Sequence, residues 1–322
     1  MNNVKYFICP MSKNIVDSII ELESDKLGIT ATRRQIDFNG GYVNEWLTKD
    51  FFHYTHNISP FGKNIIYERD HGGPNQGSDP DDGFDSFKND STFFNLYHID
   101  PWKVHRDLND GIIQTIKYIR FILSINPLAR FEVGTEEDII RFSVNEIDYI
   151  LKGLKLNLTE EEFQRIEYVV IQSGESLDLV NKKNKGTFND ERFSQMIGLC
   201  NSWNIKSKEH NGDFLSNEEY KIRFENGLST INIGPEFATI ETGLYLEHMT
   251  VKEINDFYDV CLSSDKWKRW VNGNVNELTK KQLIEICGHY NYDSIRLPKI
   301  KNLVKDTIKN KLISLIDVVN GK

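Results

Sequence analysis

The chain has 322 residues, 39% of them hydrophobic and 27% charged, the balance of a globular protein. That length exceeds a small sandwich and fits one barrel with a tail, or two medium domains. A net charge of −9 argues against a nucleic-acid binder, which needs a concentrated positive surface, and no run reaches the roughly 20 apolar residues of a membrane span.

The first segment, Met1 to Pro10, carries a single lysine and a short apolar run, Tyr6-Phe7-Ile8-Cys9. It lacks the basic, apolar and small-residue regions of a signal peptide and reads as a first strand. Cys9, Cys200, Cys261 and Cys287 show no CxxC spacing, so buried thiols in a cytoplasmic protein are expected rather than a disulfide or zinc-finger framework.

Short apolar runs without alternation, bounded by polar residues or Gly/Pro, predict strands buried on both faces. They fall at Val4–Cys9, Leu27–Thr32, Ile65–Arg69, Phe93–Ile99, Arg130–Gly134, Tyr168–Gln172, Ile205–His210 and Thr230–Ile233. Helical spacing lies between them, as in Ile15, Ile19, Ile20 and Leu22, or Ile113, Ile116, Ile119 and Ile122. Eight strands alternating with helices predict an α/β fold, a closed (β/α)₈ TIM barrel over residues 1–248. A doubly wound open sheet is the runner-up. Gly72 to Gly83, rich in Gly, Pro, Asp and Asn, reads as a loop after the third strand. From 249 to 322 the strand rhythm stops, and Val251–Val260, Lys280–Cys287 and Ile300–Val319 predict a helical extension packed on the barrel.

Barrel enzymes place reactive groups where strands end. Here those ends carry Arg34 and Gln35, Asp70 and His71, His98 and Asp100, Glu132 and Glu136, Gln172, Glu209 and His210, and Asn232. In Asp70-His71-Gly72-Gly73-Pro74-Asn75, the imidazole can ligate a divalent metal while the neighbouring carboxylate carries a proton. Taken alone, the same segment is as easily a loop cap. His210 is the second candidate ligand, because the third and seventh strands face one another across a barrel. Glu136, Glu132, His98 and Gln172 compete for the third position, a carboxylate being favoured beside two histidines. The remaining histidines, His53, His56, His105 and His248, read as surface or partly buried; for His289, in Gly288-His289-Tyr290, folding back over the barrel mouth is the lesser reading. Tyr67, Phe93, Phe94 and Tyr97 read as core.

These segments, in this order, resemble the tagatose-bisphosphate aldolase accessory-subunit family (GatZ/KbaZ-like), relatives of class II fructose-bisphosphate aldolase. The similarity runs through Ala31-Thr32-Arg33-Arg34-Gln35, Asp70-His71-Gly72-Gly73-Pro74-Asn75, Tyr97-His98-Ile99-Asp100, Val133-Gly134-Thr135-Glu136, Val169-Val170-Ile171-Gln172, Glu209-His210 and Asn232-Ile233-Gly234-Pro235. It implies a barrel that uses Zn²⁺ or another divalent metal to make or break the C3–C4 bond of a ketose or ketose phosphate, as an aldolase or a ketose 4-epimerase. Asp70 then transfers the proton, His71 and His210 hold the metal, and Glu136 is third ligand or second acid/base. Arg34, Gln35, Asn75, His98, Asp100, Glu132, Gln172 and Asn232 would bind substrate. The family also implies the alternatives of a homo-oligomer or of a non-catalytic subunit beside a partner aldolase. Two departures stand out. Arg33 and Arg34 replace small polar residues, pointing to an anionic group near the second strand, and the C-terminal region matches poorly.

Overall fold

The structure is a computed structural model that describes residues 3–174, 176–184, 188–271 and 273–321. Eight strands close into a parallel barrel in sequence order: Tyr6–Ile8, Leu27–Thr32, Tyr67–Gly72, Leu96–Ile99, Arg130–Val133, Ile166–Ile171, Lys206–Glu209 and Thr230–Ile233. The last pairs with the first, Tyr6 against Ile231 and Ile8 against Ile233, which leaves the barrel without an edge. The (β/α)₈ barrel expected from the eight apolar runs is the fold observed. The third strand runs on to Gly72, past the predicted end at Arg69, and the fourth starts at Leu96 because Phe93 and Phe94 belong to the turn before it.

Alternation along the strands separates two interiors. Tyr6, Ile8, Ile29, Tyr67, Tyr97, Phe131, Val169 and Ile231 face outward into the large core shared with the helices. Phe7, Leu96 and Tyr168 form a smaller apolar cluster inside the barrel. Gly28 permits this filling: a Cβ there would lie 2.6 Å from the Phe7 ring. Above that layer the inward positions turn polar, with Glu68, Glu132 and Lys208 first and Asp70, His98 and His210 nearer the C-terminal ends, all of them buried.

Buried on the outer face, Arg69 is held by a two-pronged pair with Asp90 (2.7 and 2.9 Å) and by the carbonyls of Ala31 and Ile36. Charge buried in this way is tolerated because each donor finds an acceptor. Capped helices complete the ring; Ser143, Thr159 and Ser216 each form a capping box with a glutamate three residues on. A short antiparallel ladder, Leu177–Asp178 with Lys183–Asn184, interrupts the sixth βα connection at a place where no apolar run predicts a strand.

After the eighth barrel helix, Pro235–Glu247, the chain continues in helices Val251–Ser263, Lys280–Cys287 and Lys301–Val319. Leu246, Phe257, Cys261, Leu283, Ile284 and Cys287 make a core of their own. The last helix returns to the barrel, burying Val304, Ile308, Leu312 and Leu315, and its Lys309 pairs with Glu21 of the first helix at 2.6 Å. No helix among the described residues is long and apolar enough to cross a membrane.

Candidate metal and active site

The mouth of the barrel at the strand C-termini opens into a cavity of about 420 Å³. Asp70, His71, His210 and Asn232 line it, together with Cys9 and Gln35. In an ordinary strand, consecutive side chains point to opposite faces. Asp70 and His71 escape this because His71 takes a left-handed backbone (φ +45°), and the register to the fourth strand slips between Arg69 and Gly72. The bend turns the imidazole inward beside the carboxylate. Strained backbone of this kind gathers at functional sites.

Asp70, His71, His98 and His210 each offer a ligand atom, and these four atoms lie within 4.8 Å of one another. The ring centroids of His71 and His210 are 5.4 Å apart, and His98 stands 4.9 Å from each. Each histidine has one nitrogen committed. His71 Nδ1 meets Asp100 Oδ2 at 2.6 Å, His210 Nε2 meets Glu132 Oε1 at 2.7 Å, and His98 Nε2 meets the Gly134 carbonyl at 3.1 Å. Acceptors on those nitrogens put an N–H there and turn the other nitrogen of His71 and His210 to the cluster, while His98 Nδ1 also accepts from the His71 backbone N–H at 3.3 Å. Carboxylate or carbonyl backing is the arrangement that fixes metal-ligating histidines.

The residues fit a divalent cation. Facing the cluster, His98 Nδ1 lies 3.3 Å from Asp70 Oδ1, while His71 Nε2 lies 3.8 Å from both Asp70 Oδ1 and Glu136 Oε1. So many lone pairs at one point require positive charge between them, supplied by protons or by a metal. Without a metal, protons fill that role. Burial alone would lower the His71 pKa, but Asp70, Glu136 and Asp100 outweigh it and push it up to about 10. Burial works the other way for Asp70, yet His71, His98 and His210 hold its carboxyl far below the usual range. His210 is pulled down to about 3, chiefly by burial, against the opposing charge of Asp70.

Glu136 stands beside this group rather than in it: it is 3.8 Å from His71, and its other oxygen accepts from Asn211 Nδ2 at 3.1 Å. His98, a candidate for the third ligand position from its strand end and a substrate binder by the resemblance, is one of the four clustered residues. Asp100 and Glu132 stand behind His71 and His210, with no oxygen turned to the cavity. Thr135 also donates to Asp100, at 3.1 Å. Gln172 is spent on the backbone, accepting from Phe142 N–H and donating to the carbonyls of Thr135 and Ile140, so it braces a loop. Gln35 accepts from Thr32 N–H and reaches Met11 Sδ. Asn75, also left-handed, closes the loop by accepting from Asp81 N–H at 3.0 Å. Asn232 is different: it lines the cavity, and neither atom of its buried amide has a partner among the described residues. Arg33 turns away to pair with Asp37 and Asp81, whereas Arg34 lines the mouth.

Two features escaped the sequence reading. Lys208 lies fully buried beneath the histidines, 2.6 Å from Glu132 Oε2 and in contact with Glu68, so that Glu132 bridges the ammonium and His210. The signal was present, since Glu68 and Lys208 occupy inward positions of buried strands where charge demands a partner. The second feature is the C-terminal segment, which brings Arg269, Trp270 and Tyr290 over the mouth. Trp270 Nε1 donates to Tyr290 Oη at 3.2 Å, and Tyr290 packs edge-on against Tyr42. His289 lies next to them, with neither ring nitrogen partnered among the described residues.

Fold and site together define a (β/α)₈ barrel with a histidine–carboxylate cluster at its C-terminal mouth. No protein-family model and no curated protein matches the chain. Among solved structures it is similar to a probable tagatose 6 phosphate kinase from Sinorhizobium meliloti 1021, at 14% identity and a TM-score of 0.72, covering 98% of this chain and 88% of that one. It is also similar to the fructuronate-tagaturonate epimerase UxaE from Cohnella laeviribosi (7% identity, TM-score 0.63, 99% and 81% covered). The YdjI aldolase from Escherichia coli K12 aligns at 12% identity and a TM-score of 0.51, with 98% and 91% covered. At these identities the likenesses establish the shared fold.

Proposed function

We propose that the chain is a divalent-metal-dependent enzyme of the class II aldolase type, acting at the C3–C4 bond of a ketose or ketose phosphate as an aldolase or a 4-epimerase. The observation that carries this reading is the convergence of Asp70, His71, His98 and His210 within 4.8 Å at the mouth of the barrel. Its neighbours in fold include proteins titled aldolase and epimerase, which accords with it.

His71, His98 and His210 would hold the cation, with Asp70 or Glu136 alongside, and zinc suits a set of imidazoles and carboxylate. When bound, such a cation supplies a Lewis acid for the ketose carbonyl and the negative charge that develops on it. The chain's own groups do the rest. Asp70, held ionised by the three histidines, takes the C4 hydroxyl proton as the C3–C4 bond breaks, its electron pair moving toward C3 and the carbonyl. Returning that proton after the aldehyde has recombined restores the ketose. Recombination on the opposite face of the aldehyde gives the 4-epimer, and release of the aldehyde gives aldol cleavage. Asn232, which lines the cavity and whose buried amide has no partner among the described residues, would bind a substrate hydroxyl.

The test is the purified chain assayed alone with Zn²⁺ against a panel of ketoses and ketose phosphates, with metal analysis of wild type, His71→Ala and His210→Ala. Stoichiometric metal that is lost in both variants, with turnover in the wild type, supports the reading. A chain that binds no metal and turns over nothing refutes it.

A further inference from the structure

We propose that the substrate carries an anionic terminal group, a phosphate or a carboxylate, gripped at the rim of the mouth by Arg34, Lys103 and Arg269. The inference rests on the mouth being the substrate site. A second open cavity of about 320 Å³ adjoins the central one, sharing Thr32, Arg34, His71, Glu136 and Arg269 with it. Lys103 and Arg106 line only this outer cavity.

Arg34 follows the second strand, Lys103 the fourth, and Arg269 comes from the turn Lys266–Arg269 beyond the barrel. Neither Arg34 nor Arg269 has an ion pair among the described residues; Arg269 lies on the Trp270 ring, 5.0 Å from its centroid. The Lys103 ammonium donates to the Asn75 carbonyl at 2.6 Å, a neutral partner. Arg34 and Lys103 feel neighbouring cations instead. Burial and then the charge of Arg269 lower the Arg34 pKa; burial, Arg34 and Arg269 lower that of Lys103. Arg33, one residue away, shows the contrast, since its guanidinium is consumed by Asp37 and Asp81.

Glu136 and Asp138 line both cavities and carry the opposite charge, but the cations of the outer cavity, Arg34, Lys103, Arg106 and Arg269, outnumber these two carboxylates. In a chain of net charge −9, collecting an excess of cations at one rim opposes the folded state unless an anion offsets the repulsion. Two guanidinium forks and an ammonium are the donor set that phosphate and carboxylate oxygens accept from. The C-terminal segment is therefore part of the substrate site, because it supplies Arg269.

The experiment titrates inorganic phosphate and, separately, acetate into wild type, Arg34→Ala and Arg269→Ala by calorimetry, each with and without EDTA treatment. Zinc content and circular dichroism of every variant are measured in parallel. The expected result is wild-type binding that survives EDTA and weakens about tenfold or more in each variant, the loss of one charge-assisted contact, while zinc content stays at the wild-type level. Tighter phosphate than acetate points to a phosphorylated substrate, and the reverse to a sugar acid; both uphold the anionic grip. Binding that is unchanged in the variants, or that vanishes with EDTA, overturns it by placing the anion on the metal. A wild type that holds phosphate through these arginines but binds no zinc sinks the metal-dependent function and leaves the anion site standing.

Discussion

The Nδ1 of His71 lies 2.6 Å from Asp100 Oδ2, across the ends of the third and fourth strands. The contact fixes the tautomer and ring plane of His71 and turns its Nε2 toward Asp70, Glu136 and the barrel axis. Asp100 is buried, and His71 pulls its carboxyl below the ordinary range against the effect of burial.

Replacing that carboxylate should be felt in metal affinity before fold. Asp100→Asn is expected to weaken zinc binding by about 10- to 100-fold, the usual consequence of losing a ligand's hydrogen-bond partner. Competition with a chromophoric chelator measures it. Unchanged affinity would remove Asp100 from the positioning of His71.

Asp70→Asn tests proton transfer. The amide keeps the size and loses the base, so turnover should fall by about 10²- to 10⁴-fold, with zinc still bound through the three histidines. Loss of zinc along with turnover would make Asp70 a ligand rather than the proton carrier.

Metal and proton compete at His71. Its pKa stands near 10 in the metal-free protein, so at neutral pH the imidazole carries a proton that a cation must displace. Zinc binding at pH 7 should release about one proton from this residue, and affinity should fall as pH falls. Calorimetry in buffers of differing ionisation enthalpy reads the proton count; zero release contradicts the protonated His71.

His210 and His289 predict the acid limb of stability. Burial drives both down to about 3, while an unfolded histidine titrates near 6.5. The unfolded chain then binds the extra protons, so their contribution is intact above about pH 6.5 and lost as pH falls toward 3. His289→Phe removes one such group whose nitrogens have no partner among the described residues. In the metal-free protein it should cost no more than about 1 kcal/mol at pH 7 and recover about 2 kcal/mol relative to wild type at pH 5. Urea midpoints at the two pH values decide it, and parallel pH profiles would contradict the assignment.

Lys208 offers a contrast within one buried group. Burial and the charge of Glu132 push the Glu68 pKa up, whereas Lys208 and His98 hold Glu132 down, so Glu68 is the member that retains a proton. Glu68→Gln should therefore be mild. Lys208→Met should cost about 3–5 kcal/mol, by leaving a carboxylate buried without its partner, and should weaken zinc binding through Glu132 and His210. Denaturant unfolding of the two variants separates them; equal losses would refute the assignment.

Sequence alone determined the barrel and the order and approximate positions of its strands. Strands buried on both faces must be apolar at most outward positions, and a closed parallel sheet leaves reactive groups little room except at one end; hence the eight runs, and Asp70, His71 and His210, were legible. What lies opposite an inward side chain was not, because periodicity reports a face and says nothing of the partner across it. Tertiary structure alone chose His98 among the competitors for the cluster, put Asp100 and Glu132 behind the histidines, and spent Gln172 on a loop. Arg33 and Arg34, neighbours in the sequence, were separated into a buried ion pair and an open cation by the position of Asp81. Arg269 reached the mouth only because a helical segment without strand rhythm packs on the barrel through its own apolar core, and no local pattern encodes where such a segment docks.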